Sequence, residues 1–435
     1  MSGADGLTLR ETSVTCTACA CLCDDLRIEH DGQQILSTEN ACRLAEPWLM
    51  SMGRTRPVAA AAIEGQETSI EAALDHAAEL LSESRAPLIY GLSRSSTPGQ
   101  RAAVALAEQI GACIDTTASV GHASSVMAVQ QQGEQTCSLG EVKNRADLVI
   151  YWGSDPEFSH PRHRERYTVL PQGEFISGPE ERHVVVIDIR PTATSATANQ
   201  FIPIAPRSDF EVLWLLQALA KGTPGPFPAN VGGVDLVVWQ KLAERMKQCR
   251  FGIVFFGYGL SRTGLGHHNV EALLRLVREL NDYTRFYARR MRVVGDVTGA
   301  DLVLAWQTGY PFSVNLSRGY PRYNPGEYSA WGLLEREEVD CCLLVGSESL
   351  PRLPLRAQTY LRQIPTIVLD HPHVQIPFAP TVQITTGVYG VHWPGTAYRM
   401  DEVPLPLKGY LSSNYPTDEA VLEGMTSRLK SIRRA

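Results

Sequence analysis

The chain has no basic surplus. Its 40 lysines and arginines stand against 47 aspartates and glutamates, a formal charge of −7. Without excess positive charge to neutralise phosphate, nucleic acid is not an expected partner. Long hydrophobic runs are missing as well. The longest apolar stretches, such as residues 251–260, fall well short of the roughly 18 residues that suggest a spanning helix. The opening MSGADGLTLRETS lacks the charged-then-apolar order of a secretory signal peptide. No repeat of fixed period and no low-complexity tract is present. Together these absences predict a cytoplasmic protein with no membrane partner. In that compartment ten cysteines are expected as thiols or metal ligands, not disulfides. Hydrophobic residues at 44% and charged residues at 20% exclude disorder as the main state.

What is present is unevenly placed. Cys16, Cys19, Cys21 and Cys23 crowd together and Cys42 follows. Residues 1–57 therefore read as a small lobe organised by its cysteines rather than by an apolar core. From residue 58 short apolar runs recur at 87–92, 148–152, 184–189, 252–256, 342–345 and 366–369. Helical patterns lie among them over 70–81, 102–110, 210–220 and 270–280. Thr68 with Glu71, and Ser208 with Glu211, have the spacing of capping boxes. This alternation predicts an α/β fold of parallel sheets with helices on both faces. The Gly- and Pro-rich segment 222–231 carries the best linker signal, dividing an α/β domain at 58–222 from a second at 223–372. The Pro-rich remainder, 373–435, reads as an extended segment wrapping the body.

The strand ends carry candidate chemistry. Gly153-Ser154-Asp155-Pro156, Asp188-Ile189-Arg190, Gly257-Tyr258-Gly259, Gly346-Ser347-Glu348 and Asp370-His371-Pro372 each follow an apolar run. Ligands of open α/β sheets bind outside the carboxyl ends of strands, where glycine admits close approach and aspartate can hydrogen-bond a ribose hydroxyl. The competing reading is that these residues only terminate strands. Arg262 stands where the dinucleotide fingerprint has its third glycine, so a classical NAD site is weakly supported. Cys16-x2-Cys19-x3-Cys23 with the distant Cys42 supplies four thiolates. Zinc takes such a set as a closed tetrahedron, and a [4Fe–4S] cluster takes one cysteine per iron. Reduced thiols with no metal are the third reading, and Cys21 is spare.

Several longer stretches carry a resemblance. They are Cys16-Thr-Ala-Cys19-Ala-Cys21-Leu-Cys23-Asp24-Asp25, the run from Thr136 to Asp147, and Tyr151-Trp152-Gly153. Further on come Trp306-Gln-Thr-Gly-Tyr-Pro-Phe312, the run from Ser317 to Glu327, and Gly395-Thr-Ala-Tyr-Arg-Met-Asp401. From Cys16 to about Leu407 the chain resembles the formylmethanofuran dehydrogenase B-subunit family. The resemblance implies a molybdopterin-oxidoreductase-like fold. It implies a [4Fe–4S] cluster on Cys16, Cys19, Cys23 and Cys42. It also implies a tungsten or molybdenum ion held by two pterin guanine dinucleotides, whose contacts match the regions of Gly153, Asp155, Asp188 and Arg190.

Two departures shape the functional expectation. The family's metal-ligand cysteine lies in Ser-Val-Cys-His, and here the line is Ser119-Val120-Gly121-His122. Glycine supplies no thiolate, so His122 is a vestigial candidate and no catalytic residue is expected. No C-terminal β-barrel is expected after Asp401. The pattern suits the B subunit of the bacterial formyltransferase/hydrolase complex. That branch implies a non-redox subunit without tungsten or molybdenum pterin, supporting hydrolysis of a formyl-methanofuran-type carrier to formate in formaldehyde oxidation. The implied partners are the A, C and D subunits of that complex, the first amidohydrolase-like and the last a formyltransferase. The alternatives are an electron carrier using only the N-terminal cluster and an active tungsten or molybdenum pterin dehydrogenase subunit.

Overall fold

The structure, a computed structural model, describes residues 8–53, 58–264, 266–293, 295–372 and 374–432. The chain forms two compact units, residues 121–293 and residues 1–120 with 294–435.

In the unit 121–293 five parallel strands lie in the order Gln200–Pro203, His183–Asp188, Leu148–Trp152, Phe251–Phe256, Arg285–Arg290. Leu148–Trp152 and Phe251–Phe256 are buried at every residue. Strands covered by helices on both faces need such unbroken apolar runs. The helices Asp209–Lys221, Leu236–Gln248 and Gly266–Leu280 pack on the sheet, where Leu216, Trp239 and Leu273 share one core with Trp152 and Ile187. The strand order reverses between Leu148–Trp152 and Phe251–Phe256. That reversal opens a crevice at their carboxyl ends.

The other unit is built on a nine-stranded sheet. Its centre is parallel, in the order Cys113–Thr116, Pro87–Gly91, Cys341–Val345, Thr366–Asp370, Val382–Thr385, with antiparallel pairs at both edges. The period-2 alternation of strands assigns its two faces. Ile89, Leu343 and Ile367 join the core under Ile70–Glu83, Thr97–Ile110 and Asp418–Ile432. Leu88, Tyr90, Cys342 and Val368 join the core under Ala330–Glu335 and Leu355–Leu361. The parallel sheets and two-sided helical cover are those the apolar runs predict. Among the described residues no barrel follows Asp401, and no helix is long and apolar enough to cross a membrane.

Several details differ from the expectations. The segment 222–231 lies within one unit, because Leu216 before it and Trp239 after it share one core. Position 372 likewise lies inside the other unit. The segment after it is more than an extended wrap. It adds the strand Val382–Thr385 and the helix Asp418–Ile432, whose Val421, Leu422, Met425 and Leu429 form an apolar stripe beside Leu74 and Val104. The cap of Ile70–Glu83 is Ser69, which accepts from the Ala72 N–H at 3.1 Å, not Thr68. Ser208 forms no capping box: its hydroxyl donates to the Ala205 carbonyl at 2.6 Å, and Glu211 accepts from the Gly232 N–H at 3.1 Å. A complete box stands instead at Ser138 and Glu141, opening Leu139–Arg145.

The N-terminal lobe has three antiparallel strands, Leu9–Val14, Leu26–His30 and Ile35–Glu39. It does bury apolar side chains: Leu26, Ile28 and Ile35 are almost wholly covered. Leu22 packs with Tyr389, Ala397, Leu405 and Leu407 of the C-terminal segment. Part of the lobe's core is thus supplied by residues nearly four hundred positions away, which spacing along the chain could not reveal.

Candidate functional site

The crevice of unit 121–293 holds a cavity of about 470 Å³. Gly153, Asp155, Asp188 and Arg190, the four strand-end residues singled out in the sequence, all line it. The loops meet backbone to backbone. A Cβ on Gly153, whose φ is +54°, would stand 2.7 Å from the Leu260 nitrogen and 2.9 Å from Gly259. The glycines of Gly257-Tyr258-Gly259 therefore serve this close packing of two strand ends. Asp155 accepts from the Thr194 N–H at 3.1 Å and from its hydroxyl. Asp188 accepts from the Ile189 N–H at 2.7 Å. Burial raises the Asp188 carboxyl above its usual range, against the lowering effect of the Ile189 and Arg190 backbone. Asp209 also lines the cavity; it accepts from the Trp152 indole N–H at 2.8 Å and is raised by burial. Phe158 and Ile189 are exposed beside these carboxylates. The cavity thus offers hydroxyl-accepting carboxylates next to apolar surface.

Gly121 has a different environment. An ideal Cβ at Gly121 would lie 2.3 Å from Cε1 and 2.5 Å from Cζ and Oη of Tyr258. The space for a side chain at this position is filled by the Tyr258 ring. That ring packs on the buried His122, with centroids 5.0 Å apart and planes at 36°. The Arg262 guanidinium lies over it at 5.3 Å, and Ser261 donates to the Gly121 carbonyl at 3.3 Å. No φ in the left-handed region demands glycine at 121; a side chain there would have to displace the Tyr258 ring.

The cysteine loop lies between the strands Leu9–Val14 and Leu26–His30. The Cys16 N–H donates to the Cys23 carbonyl at 2.8 Å and the Leu22 N–H to the Cys19 carbonyl at 3.1 Å. The Cys42 carbonyl accepts from the Ala45 and Glu46 N–H groups, both at 2.9 Å. Burial pushes the Cys16 thiol well up, and Cys19, Cys23 and Cys42 push it further. Cys19, Cys23 and Cys42 therefore lie within electrostatic reach of Cys16. Among the described residues no three His, Cys, Asp or Glu side chains stand in a ready metal-ligand arrangement. Like-charged thiolates repel unless a cation draws them together, so the donor chemistry fits a thiolate-binding ion. Cys21, spare in the sequence reading, is buried, and its thiol hydrogen-bonds Cys19.

Sequence reading missed three groups. Tyr258 was visible only as the centre of Gly-Tyr-Gly, with nothing local to place its ring on residue 121. Asp209 follows Ser208, whose apparent capping role masked it. His160 and His163 are fully buried behind the strand end. The short contact of 2.5 Å between His160 Nε2 and the Arg292 carbonyl fits an Nε2–H donor, leaving Nδ1 to accept from the Ser159 hydroxyl at 2.8 Å. Burial lowers this imidazole to about 4, although the Arg292 carbonyl favours the charged form.

No protein-family model matches the chain. It is 39% identical over 434 residues to the B subunit of the tungsten-containing formylmethanofuran dehydrogenase 2 of Methanocaldococcus jannaschii, covering 97% of this chain and 98% of that protein. The protein of the same name from Methanococcus maripaludis is 35% identical over 403 residues, covering 91% and 93%. The B subunit of the formyltransferase/hydrolase complex Fhc of Methylorubrum extorquens is 26% identical over 299 residues, covering 67% and 76%. A crystal structure of the FhcABCD complex from Methylorubrum extorquens with methylofuran contains a chain of similar fold. Its TM-score is 0.72 and its identity 24%, covering 86% of this chain and all of that one. Acetylene hydratase from Pelobacter acetylenicus shares the fold at TM-score 0.66 and 11% identity, covering 97% of this chain and 69% of that one. The extent and identity of the first two matches place this chain in the formylmethanofuran dehydrogenase B-subunit family.

Proposed function

We propose that this chain is the non-redox B subunit of a formyltransferase/hydrolase-type complex in cytoplasmic one-carbon metabolism. One observation carries the reading: the Tyr258 ring fills the space that a metal-ligating side chain at residue 121 would need. A ligand position occupied by an aromatic ring that packs on His122 is what a site repacked after losing its metal would look like. The chemistry of such a complex is consistent with that loss. Hydrolysis of a formyl amide to formate leaves the formyl carbon at the same oxidation level, so no electron acceptor is required. In such a complex an amidohydrolase-like A subunit would supply that step with a metal-activated water. The C-type and formyltransferase D-type subunits complete the assembly. This chain holds the hydrolytic subunit in place and shapes the passage by which formate leaves. Cys16, Cys19, Cys23 and Cys42 would hold a [4Fe–4S] cluster or zinc in the N-terminal lobe.

A second reading has its own support. The 39% identity with a protein named as tungsten-containing, over nearly its full length, favours an active tungsten or molybdenum pterin subunit. The cavity at Gly153, Asp155, Asp188 and Arg190 would then be a dinucleotide site. The deciding experiment is metal and pterin analysis of the native complex purified without oxygen. The non-redox reading expects neither tungsten, molybdenum nor releasable pterin. Stoichiometric pterin with either heavy metal would overturn it.

A further inference from the structure

A cavity of about 260 Å³ at the edge of the nine-stranded sheet shares no residue with the sites described above. Strand register builds it. The short strand Arg322–Tyr323 pairs with Val314–Asn315, and that strand pairs with Cys113–Thr116. Arg322 stands directly opposite Asn315, and Asn315 directly opposite Cys113. Directly opposite residues share a sheet face, so the three side chains form one row. All three line the cavity, with Ser317 from the turn between the two short strands. Tyr328, Leu333 and Val339 supply an apolar wall.

The Arg322 guanidinium is half-buried and held by neutral groups. Nη2 donates to Asn315 Oδ1 at 2.9 Å and to Ser317 Oγ at 3.2 Å. The Ser317 hydroxyl donates in turn to Asn315 Oδ1 at 2.7 Å. The guanidinium lies over the Tyr328 ring, 5.2 Å from its centroid, and Nε is covered without meeting an acceptor. Among the described residues no carboxylate forms an ion pair with Arg322. Of the two acids on the cavity wall, Glu338 pairs with Arg336 at 2.8 Å, and the exposed Glu327 accepts from the Asn324 amide at 3.4 Å. A partly desolvated cation without a counter-charge is costly, and a guanidinium fork matches a carboxylate. We propose that this cavity binds a short-chain monocarboxylate, with Arg322 taking the carboxylate and Tyr328, Leu333 and Val339 covering the aliphatic part. Size and charge choose the class. Ligand pockets commonly span about 300–1,000 Å³, so a cavity of about 260 Å³ suits a compact molecule. Glu327 and Glu338 on the wall disfavour a doubly charged anion such as phosphate. Burial pushes the Cys113 thiol up to about 12, although Arg322 opposes the rise, so a neutral thiol faces the bound anion. The proposal holds with or without a pterin metal elsewhere in the chain.

The test uses the intact native complex, as wild type, Arg322→Gln, Arg322→Lys and Glu327→Gln. Saturation-transfer NMR titrates formate, acetate and butyrate, and inorganic phosphate is read by its competition with the acetate signal. Only binding that Arg322→Gln or Glu327→Gln alters is assigned to this cavity, because other subunits can hold carboxylates. In the wild type butyrate should bind more tightly than acetate, by up to about fourfold for each added buried methylene. Losing a hydrogen bond to a charged group weakens binding by about 10- to 150-fold, the shift expected for Arg322→Gln. Arg322→Lys keeps the charge without the fork and should fall between. Glu327→Gln removes an acid from the wall and should tighten binding by up to about fivefold. It carries the test if Arg322→Gln fails to fold. Butyrate should also slow alkylation of Cys113 by iodoacetamide, mapped by peptide mass spectrometry, and Arg322→Gln should lose that protection. Monocarboxylate binding and Cys113 protection unchanged by either substitution would overturn the proposal, as would no saturable binding at all. Phosphate binding more tightly than butyrate would overturn the monocarboxylate assignment. Tungsten and pterin content are read separately, so failure here leaves the non-redox reading standing.

Discussion

Gly121→Cys introduces a thiol at the position where the resemblance implies a metal-ligand cysteine, and the structure says what it meets. The new Cβ would lie 2.3 Å from Cε1 of Tyr258 and 2.5 Å from Cζ and Oη. Carbon atoms in contact prefer about 3.5–4.0 Å, so the ring must leave its place on His122 or the backbone must move. Overpacking of this kind costs about 1–3 kcal/mol. Each kcal/mol lowers the melting midpoint by about 2–4 °C in a body of 150–250 residues, so a fall of roughly 2–12 °C is expected. Tyr258→Gly removes the ring and gives the thiol room. A thermal and urea unfolding cycle over the wild type, both single variants and the double variant should yield a favourable coupling of about 0.5–3 kcal/mol. Gly121→Cys alone should confer no formate-dependent dye reduction. If it melts with the wild type, or the two single effects simply add, Tyr258 does not fill the site and the carrying observation fails.

Three further outcomes follow from the same geometry. His160 is held near 4, below the ordinary imidazole range, first by burial. The unfolded chain therefore takes up a proton between about pH 6.5 and 4 that the folded chain refuses, so this group's stability falls as pH drops through that window. The stability gap between wild type and His160→Gln should shrink by about 1–2 kcal/mol between pH 7.5 and 5, read by urea unfolding; a constant gap would contradict it. Gly153→Ala places a Cβ 2.7 Å from the Leu260 nitrogen at positive φ, whereas Gly222→Ala at φ +68° meets open space. The second should cost only about 1 kcal/mol and the first clearly more, compared in parallel melts. Leu22→Ala empties a buried site against Tyr389, Leu405 and Leu407, and should cost about 2–5 kcal/mol and speed proteolysis of the cysteine loop.

The sequence by itself determined the layers. Unbroken apolar runs at 148–152 and 252–256 could satisfy their backbone only in a sheet buried on both faces, and they lie there. It also marked Gly153, Asp155, Asp188 and Arg190, because residues that end parallel strands collect at one edge whatever the connections between them. It marked the cysteine loop by density alone. Tertiary structure decided the rest. The division into units follows shared cores, which ignore chain order, so a Gly- and Pro-rich segment inside one core marks no boundary. The lobe's hold on Leu405 and Leu407, the bonds of Arg94 and of the Met400 N–H to carbonyls of the cysteine loop, and the Tyr258 ring against Gly121 all join residues far apart in the chain. Local periodicity and spacing report only neighbours within a few residues, whereas burial and charge compensation are settled by whatever the folded chain brings alongside.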